Sequence, residues 1–114
     1  MTARCYIPAT LELLRGYVQQ GELPVDVDRF VPESDDEEDE YAALMSAAGA
    51  AAELLGGPGR RVVVVAEVDE PDRPIPLSQV VAVHCDVADR PAGADPDEDL
   101  AWFATQEIGA LLDH

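Results

Sequence analysis

The pattern of apolar and polar positions predicts a chain of alternating strands and helices. Residues 4–8 predict a first strand, which a proline ends because it cannot donate a hydrogen bond to a neighbouring strand. Thr10 follows as a helix N-cap, and the apolar residues after it recur at helical spacing. Residues 28–31 predict a short second strand. The N-terminal third of the chain is therefore expected to combine strands with one helix.

A second, longer helix is predicted after the carboxylate-rich residues 33–40. Ser34 and Glu37 stand three positions apart, as in a capping box, where hydroxyl and carboxylate each accept from a backbone amide of the first turn. Apolar residues at spacings of three, four and seven then trace one helix face. This face consists of Tyr41, Leu44, Met45, Ala48, Ala52 and Leu55. Glycine-rich residues 56–59 are expected to end the helix.

Three later segments predict strands. Residues 62–68 are an almost uninterrupted β-branched run, which is typical of a strand buried on both faces at the centre of a sheet. Residues 80–87 alternate between two faces. One face carries Val81, Val83, Cys85 and Val87, and the other carries Val80, Ala82, His84 and Asp86. Residues 100–104 predict the last strand, and Thr105 starts a final helix that reaches about residue 112.

These elements predict one α/β domain over residues 1–114, which could also be classed as α+β. Four or five strands form a single mixed sheet, and three helices cover it. Two strand–helix–strand passages early in the chain favour some parallel pairing, because a crossover helix usually returns the chain parallel to its first strand.

The charge balance narrows the classes of function. The 114 residues include 24 Asp and Glu but only seven basic residues, all of them Arg, for a net charge of −17. Such a chain is not expected to bind nucleic acid through phosphates or to adhere to an anionic membrane surface. No apolar stretch is long enough to span a bilayer, and no signal-peptide core follows the first residues. A soluble cytoplasmic protein is therefore expected.

Carboxylates are concentrated in two segments, and the first supplies the predicted partner-binding residues. These are Glu33, Asp35, Asp36, Glu37, Glu38, Asp39 and Glu40. Seven neighbouring carboxylates repel one another, so stability does not account for most of them. They form either a solvated, solubilising helix start or an electrostatic docking patch for a basic partner. Six more acids lie within residues 86–99. Convergence of the two segments on one surface would support docking, and dispersal would favour solubility.

Candidate chemistry elsewhere is sparse. His84 and Cys85 cannot form a thiol–imidazole pair, because neighbours on a strand face opposite sides. Residues 95–99 begin like a calcium loop, but Leu100 stands where the turn needs glycine, and Gln106 where a bidentate Glu is needed. Zinc-ligand spacings and phosphate-binding glycine motifs are absent from the sequence. We therefore predict no catalytic residue, no metal site and no cofactor.

Four segments resemble a known group of proteins. They are residues 6–10, the acidic stretch 35–41 before an Ala-rich helix, residues 80–86, and residues 100–108. Together they are similar to an uncharacterised family of small acidic actinobacterial proteins, whose members are longer than this chain. The strand–helix start and the Trp-aromatic-Ala-x-Gln-Glu ending are the most specific features. The resemblance implies a compact α/β domain in a cytoplasm and, because the family has no established activity, no catalytic residues.

Three functional hypotheses remain. The leading one is a non-enzymatic cytoplasmic protein-interaction or regulatory module whose acidic surface docks a basic protein, and it favours a protein that is not an enzyme. The second is a small enzyme or ligand-binding protein with a site near strand ends. Its residues would be His84, Cys85, Asp86 and Trp102, with a candidate pocket between His84, Asp86 and Trp102. The third is a nucleic-acid mimic in which residues 33–40 imitate phosphates. The sequence predicts neither the partner's identity nor the oligomeric state.

Overall fold

The computed structural model describes residues 3–70 and 72–113, which form three helices, a four-stranded sheet and a two-stranded sheet. The elements in chain order are β1 (Ala3–Ala9), α1 (Leu11–Gln20), β2 (Glu22–Leu23), α2 (Glu37–Leu55), β3 (Val62–Val68), β4 (Ile75–Pro76), β5 (Val80–Cys85), β6 (Ala101–Ala104) and α3 (Ile108–Leu112). Single 3₁₀ turns, Leu77–Gln79 and Thr105–Glu107, precede β5 and α3. The predicted mixed α/β class is confirmed.

The four-stranded sheet has the order β1-β3-β5-β6, and each neighbouring pair is antiparallel. The predicted parallel pairing is therefore wrong. The prediction relied on a strand at 28–31 between the two helices, but no such strand of the main sheet forms there, so both α1 and α2 lie between β1 and β3. Each helix carries the chain once along the sheet, so β3 returns antiparallel to β1. The two-residue strands β2 and β4 pair with each other outside this sheet.

Strand β3 is central and buried, as predicted. Its side chains alternate between two apolar clusters on opposite faces of the sheet. Val62 and Val64 pack in the cluster that includes Leu14 of α1 and Leu111 of α3. Val63 packs on the other face against alanines of α2. The uninterrupted valine run exists because both faces of this strand are covered.

A bulge changes the predicted faces of β5. Val65 pairs with Ala82, but the next residue of β3, Ala66, pairs with Val80. The extra residue on β5 is Val81, which is partly exposed. Val80 therefore joins Val83 and Cys85 in the cluster beneath α1 and α3, which corrects the prediction that Val81 would do so.

Helix α1 begins as predicted, because the Thr10 hydroxyl accepts from the backbone N–H of Leu13 at 3.1 Å. Gly21 ends the helix with φ 81°, a left-handed conformation that glycine adopts without steric cost. The predicted strand at 28–31 is reduced to one bridge, in which Phe30 pairs with Tyr6 of β1. That bridge covers the outer edge of β1.

Helix α2 packs through a narrower face than predicted. Its buried residues are Ala43, Ala47, Ala48 and Ala51. Tyr41 is half exposed and Leu44 only partly buried, so the larger apolar residues flank the contact instead of forming it. A row of alanines allows the helix backbone to lie close to the sheet. Within the residues that the structure describes, no helix is long and apolar enough to cross a membrane.

Candidate functional site

The seven predicted partner-binding carboxylates lie at the start of α2 and in the turn before it. The helix begins at Glu37 with Asp36 as its N-cap, and no side chain caps it. The predicted capping box is wrong, because the Ser34 hydroxyl instead accepts from the Asp36 amide at 3.1 Å and donates to the Asp39 carboxylate. Acids in this first turn interact favourably with the positive end of the helix dipole. Five of the seven are exposed, and Asp39 and Glu40 are half-buried.

An open cleft of about 500 Å³ lies beside this helix start. Its carboxylates are Glu33, Asp35 and Glu40 from the acidic segment and Glu67 from β3. Arg4 also lines it, with Nη1 3.0 Å from Glu40 Oε1 and Nη2 3.8 Å from Glu67 Oε1. The cleft volume is in the range of small-ligand sites, and its walls are acidic. One internal cation therefore already contacts two of the four carboxylates.

Glu40 is the member of the segment that is tied most closely to the sheet. Besides Arg4, the Tyr6 hydroxyl donates to Glu40 Oε1 at 3.3 Å. The pKa of Tyr6 is raised, first by burial and then by the Glu40 carboxylate. Glu40 thus orients the helix start against β1, and the carboxylates of Glu33 and of residues 35–38 are exposed to solvent.

The second acidic segment reaches the first through one hydrogen bond. The Tyr41 hydroxyl, on the first part of α2, donates to Asp99 Oδ1 at 2.8 Å. This bond raises the pKa of Tyr41, with smaller contributions from desolvation and from the charges of Asp99 and Asp97. Asp99, and Asp97 whose charge acts on Tyr41, therefore lie near the first turn of α2, whereas Asp95 and Glu98 contact Arg90, which pairs with Gly59 beyond the other end of the helix. The two acidic segments therefore meet at the Tyr41–Asp99 contact, as expected of a shared surface rather than of dispersed charge.

A buried ion pair holds the second segment in place. Arg61 and Asp86 are almost fully buried, and Arg61 donates to Asp86 from its backbone N–H, Nε and Nη2 at 2.8–2.9 Å. The remaining guanidinium contacts go to the carbonyl oxygens of Pro96 at 3.3 Å and Glu98 at 2.8 Å. The pair thus closes one end of the sheet and also fixes the acidic segment that follows.

Arg90 extends the same cluster. Its Nη1 lies 4.0 Å from Asp86 Oδ2 and its Nη2 3.8 Å from Glu98 Oε2, and it also donates to the Asp95 carbonyl. Its backbone pairs with Gly59 through two hydrogen bonds of 2.9 and 3.0 Å. Sequence reasoning missed this cluster. The available signal was an Arg directly before one apolar strand and an Asp directly after another.

The three residues of the candidate pocket are only partly brought together. His84 and Trp102 are directly opposite on β5 and β6, so their side chains share one face. Trp102 is 59% exposed, and burial lowers the pKa of His84. The carboxylate of Asp86 is instead occupied by Arg61. The predicted pocket thus reduces to a Trp–His pair near the edge of the sheet.

The two cysteines are free and buried in the same apolar cluster. Burial raises the pKa of Cys5, and it raises the pKa of Cys85 to about 11. The Cys85 thiol donates to the Asp86 carbonyl at 3.3 Å. A thiol with so high a pKa is almost entirely protonated at neutral pH. Because the thiolate is the nucleophilic form, this thiol is a poor nucleophile. Among the residues described, no three His, Cys, Asp or Glu side chains are grouped to hold a metal ion.

Comparison with known protein families places this chain in a family. A family model described as a family of unknown function (DUF6912) matches residues 3–112. The chain belongs to this family. The match spans both acidic segments, the Arg61–Asp86 pair and all six strands, so the whole arrangement described above lies within the family domain. No curated protein and no solved structure shows a significant match.

Proposed function

We propose that this protein is a non-enzymatic interaction or regulatory module that docks a basic protein through one acidic surface. The acidic docking surface consists of Glu33, Asp35, Asp36, Glu37, Glu38, Asp39, Glu40, Asp95, Asp97, Glu98 and Asp99. The observation that carries the proposal is the Tyr41–Asp99 hydrogen bond, which joins the two acidic segments. A continuous field of one sign attracts an oppositely charged partner and speeds association.

The arrangement of the remaining groups also favours docking over catalysis. The buried carboxylate of Asp86 is neutralised by Arg61, and both thiols are held protonated by burial. The carboxylates of the docking surface, in contrast, have few internal cations. Arg4 and Arg90 are the cations whose side chains contact them among the residues described. Most of the surface charge is therefore available to a partner.

We extend the proposal to an actinobacterial cytoplasm, where the resemblance of the four sequence segments would place the family. A nucleic-acid mimic is a special case of the same surface, since its partner would be a basic DNA-binding protein. That case predicts that DNA competes with the protein for the partner.

The test is affinity purification from the native cell at low and high salt with two variants of equal charge. In the first, Glu33, Asp35, Asp36, Glu37 and Glu38 become amides. In the control, Glu12, Glu22, Asp26, Glu53 and Asp69, which are exposed elsewhere, become amides. We expect a basic partner that is lost at high salt and in the first variant, and retained in the control. Equal loss in both variants, or recovery that does not change with salt, would contradict docking at this surface.

A further inference from the structure

The two outer edges of the four-stranded sheet differ. At β1, the outward backbone of Tyr6 is paired with Phe30 through hydrogen bonds of 2.8 and 2.9 Å. At β6, the strand pairs with β5 on one side, and no strand of the described residues pairs with the other. An unpaired strand edge can take up an additional strand from another chain.

The direction of the β6 backbone can be assigned from one contact. The Ala104 N–H donates to the Glu107 carboxylate at 2.9 Å rather than to β5. Because hydrogen-bonding direction alternates along an antiparallel strand, the N–H and C=O of Trp102 also point away from β5. Phe103, between them, is directed toward its partner Val83. Trp102 therefore offers a backbone donor and acceptor at the outer edge.

Both faces beside this edge can receive side chains. On one face lies the exposed indole of Trp102, next to His84. On the other, Phe103 lines an open cavity of about 340 Å³ with Val87, Ala110 and Leu111. Val87 is 74% exposed. A strand lying along β6 directs alternate side chains to these two faces, which is how strand addition obtains specificity.

The charges around the edge define the chemistry of the added strand. Asp97, Glu98 and Asp99 lie shortly before β6 and Glu107 follows it, and all four are exposed. One cation, Arg60, lines the cavity on the Phe103 face, and it lies 3.8 Å from Asp89. A second copy of this chain would bring its own acids against the four carboxylates. A segment with Lys or Arg complements them, and its cation can also stack on the Trp102 ring.

We propose that β6 receives an extended, basic segment of the partner protein as a fifth strand of the sheet. This inference rests on the proposed function, since it specifies how the partner of the acidic docking surface is engaged. The carboxylates attract the segment, and the Trp102 backbone and the two side-chain faces fix its position.

The probe is a short peptide that alternates Lys and Val, with a peptide that alternates Glu and Val as control. Trp102 is the single tryptophan of the chain, so its fluorescence reports on this edge alone. We expect the Lys peptide to shift the emission to the blue and to slow amide exchange at Trp102 about tenfold or more. Exchange at Phe103, whose amide already faces β5, should change little, and the Glu peptide should have no effect.

Two substitutions at Trp102 distinguish the contribution of its backbone N–H to peptide binding from that of its indole ring. Trp102→Ala removes the indole and keeps the outward N–H, and Trp102→Pro removes both, at an edge position where proline is tolerated. We expect calorimetry to show Trp102→Pro binding the Lys peptide about fivefold more weakly than Trp102→Ala. Should Trp102→Pro fail to fold, the exchange measurement on the unmodified protein decides alone.

Two results would overturn strand addition. One is salt-dependent binding of the Lys peptide with unchanged exchange at Trp102, and this result leaves the acidic docking function standing. The other is protection of the Trp102 amide from exchange in the free protein, if that protection becomes stronger as the protein concentration rises. This result would show that the β6 edge pairs with a second copy of the chain. Failure of the proposed function is distinguished separately, by the matched amide variants described above.

Discussion

Carboxylates serve different purposes in two regions of this molecule. At one end of the sheet, Asp86 is buried and accepts three hydrogen bonds from Arg61. At the start of α2, the carboxylates of residues 33–40 are mostly exposed, and Glu40 is the one held by Arg4 and Tyr6. A buried charge must be paired because desolvation is costly, whereas an exposed charge is stabilised by water. The fold therefore depends on Asp86, and the acidic helix start remains free for other uses.

The largest loss of stability is expected when the buried carboxylate charge is removed. Asp86→Asn leaves the Arg61 guanidinium buried without its counter-ion, and we expect a loss of about 3–5 kcal/mol in the free energy of unfolding. Urea unfolding followed by circular dichroism measures it. The matched control is Asp89→Asn, whose side chain is 84% exposed, with an expected change below about 0.5 kcal/mol. Equal effects of the two substitutions would contradict the structural role of Asp86.

Cys85, which lies next to Asp86 at the end of β5, should make the stability of the protein depend on pH in alkaline solution. The pKa of Cys85 is about 11 in the folded protein against an ordinary value of 9.0. Between these values the unfolded chain loses the thiol proton and the folded chain keeps it. Stability should therefore fall as pH rises from about 9 to 11, by about 3 kcal/mol at most. In the Cys85→Ala variant, the free energy of unfolding should fall less between about pH 9 and 11, when each protein is compared with its own value at neutral pH. An identical slope in both proteins would show that Cys85 does not contribute.

Neutralising the exposed region should have a much smaller effect on stability. Glu37→Gln combined with Glu38→Gln removes two favourable interactions with the helix dipole and also relieves repulsion within the segment. We expect the free energy of unfolding to change by less than about 0.5 kcal/mol, and less still at high salt. Urea unfolding at two salt concentrations measures this. A loss comparable to that of Asp86→Asn would mean that the acidic segment is structural.

The smallest expected effect concerns the contact that joins the two acidic segments. The hydrogen bond to Asp99 raises the pKa of Tyr41, and Asp99→Asn should return it toward the ordinary value of 10.0. A spectrophotometric titration of each protein minus its Tyr41→Phe counterpart isolates this tyrosine from the other two. Asp72→Asn, an exposed acid elsewhere, is the control. An unchanged Tyr41 titration in Asp99→Asn would show that the segments do not converge in solution.

Much of the fold could be predicted from local pattern. The valines of β3 predicted a central strand, and Thr10 predicted the start of α1, because both depend on neighbours in sequence. The pairing direction was predicted wrongly because it relied on a strand at 28–31 between the two helices, and the structure reduces that strand to one bridge. The two-residue strands β2 and β4 were missed because so short a segment has no periodicity. The bulge at Val81 was missed because it exists only relative to the partner strand.

The candidate site was predicted in part. The sequence located the acidic residues 33–40, but it could not show that Tyr41 reaches Asp99 across 58 positions. Asp86 was assigned to a pocket with His84 and Trp102 because alternation placed it on the face of His84 and because Trp102 was also expected near a strand end. Its position opposite Arg61 follows only from the register of β3 and β5. Long-range contacts of this kind are set by tertiary packing, which a single sequence does not display.

The pairing of β1 with β3 has a consequence for the order of events as the chain is made. Residues 10–61 separate these strands, so β1 leaves the ribosome long before its neighbour in the sheet exists. Contacts between distant segments form slowly because a long loop must close first. Strands β3 and β5, in contrast, are separated only by residues 69–79. We therefore expect β3 and β5 to pair first. Strand β1, although it is synthesised first, should be among the last strands to join the sheet.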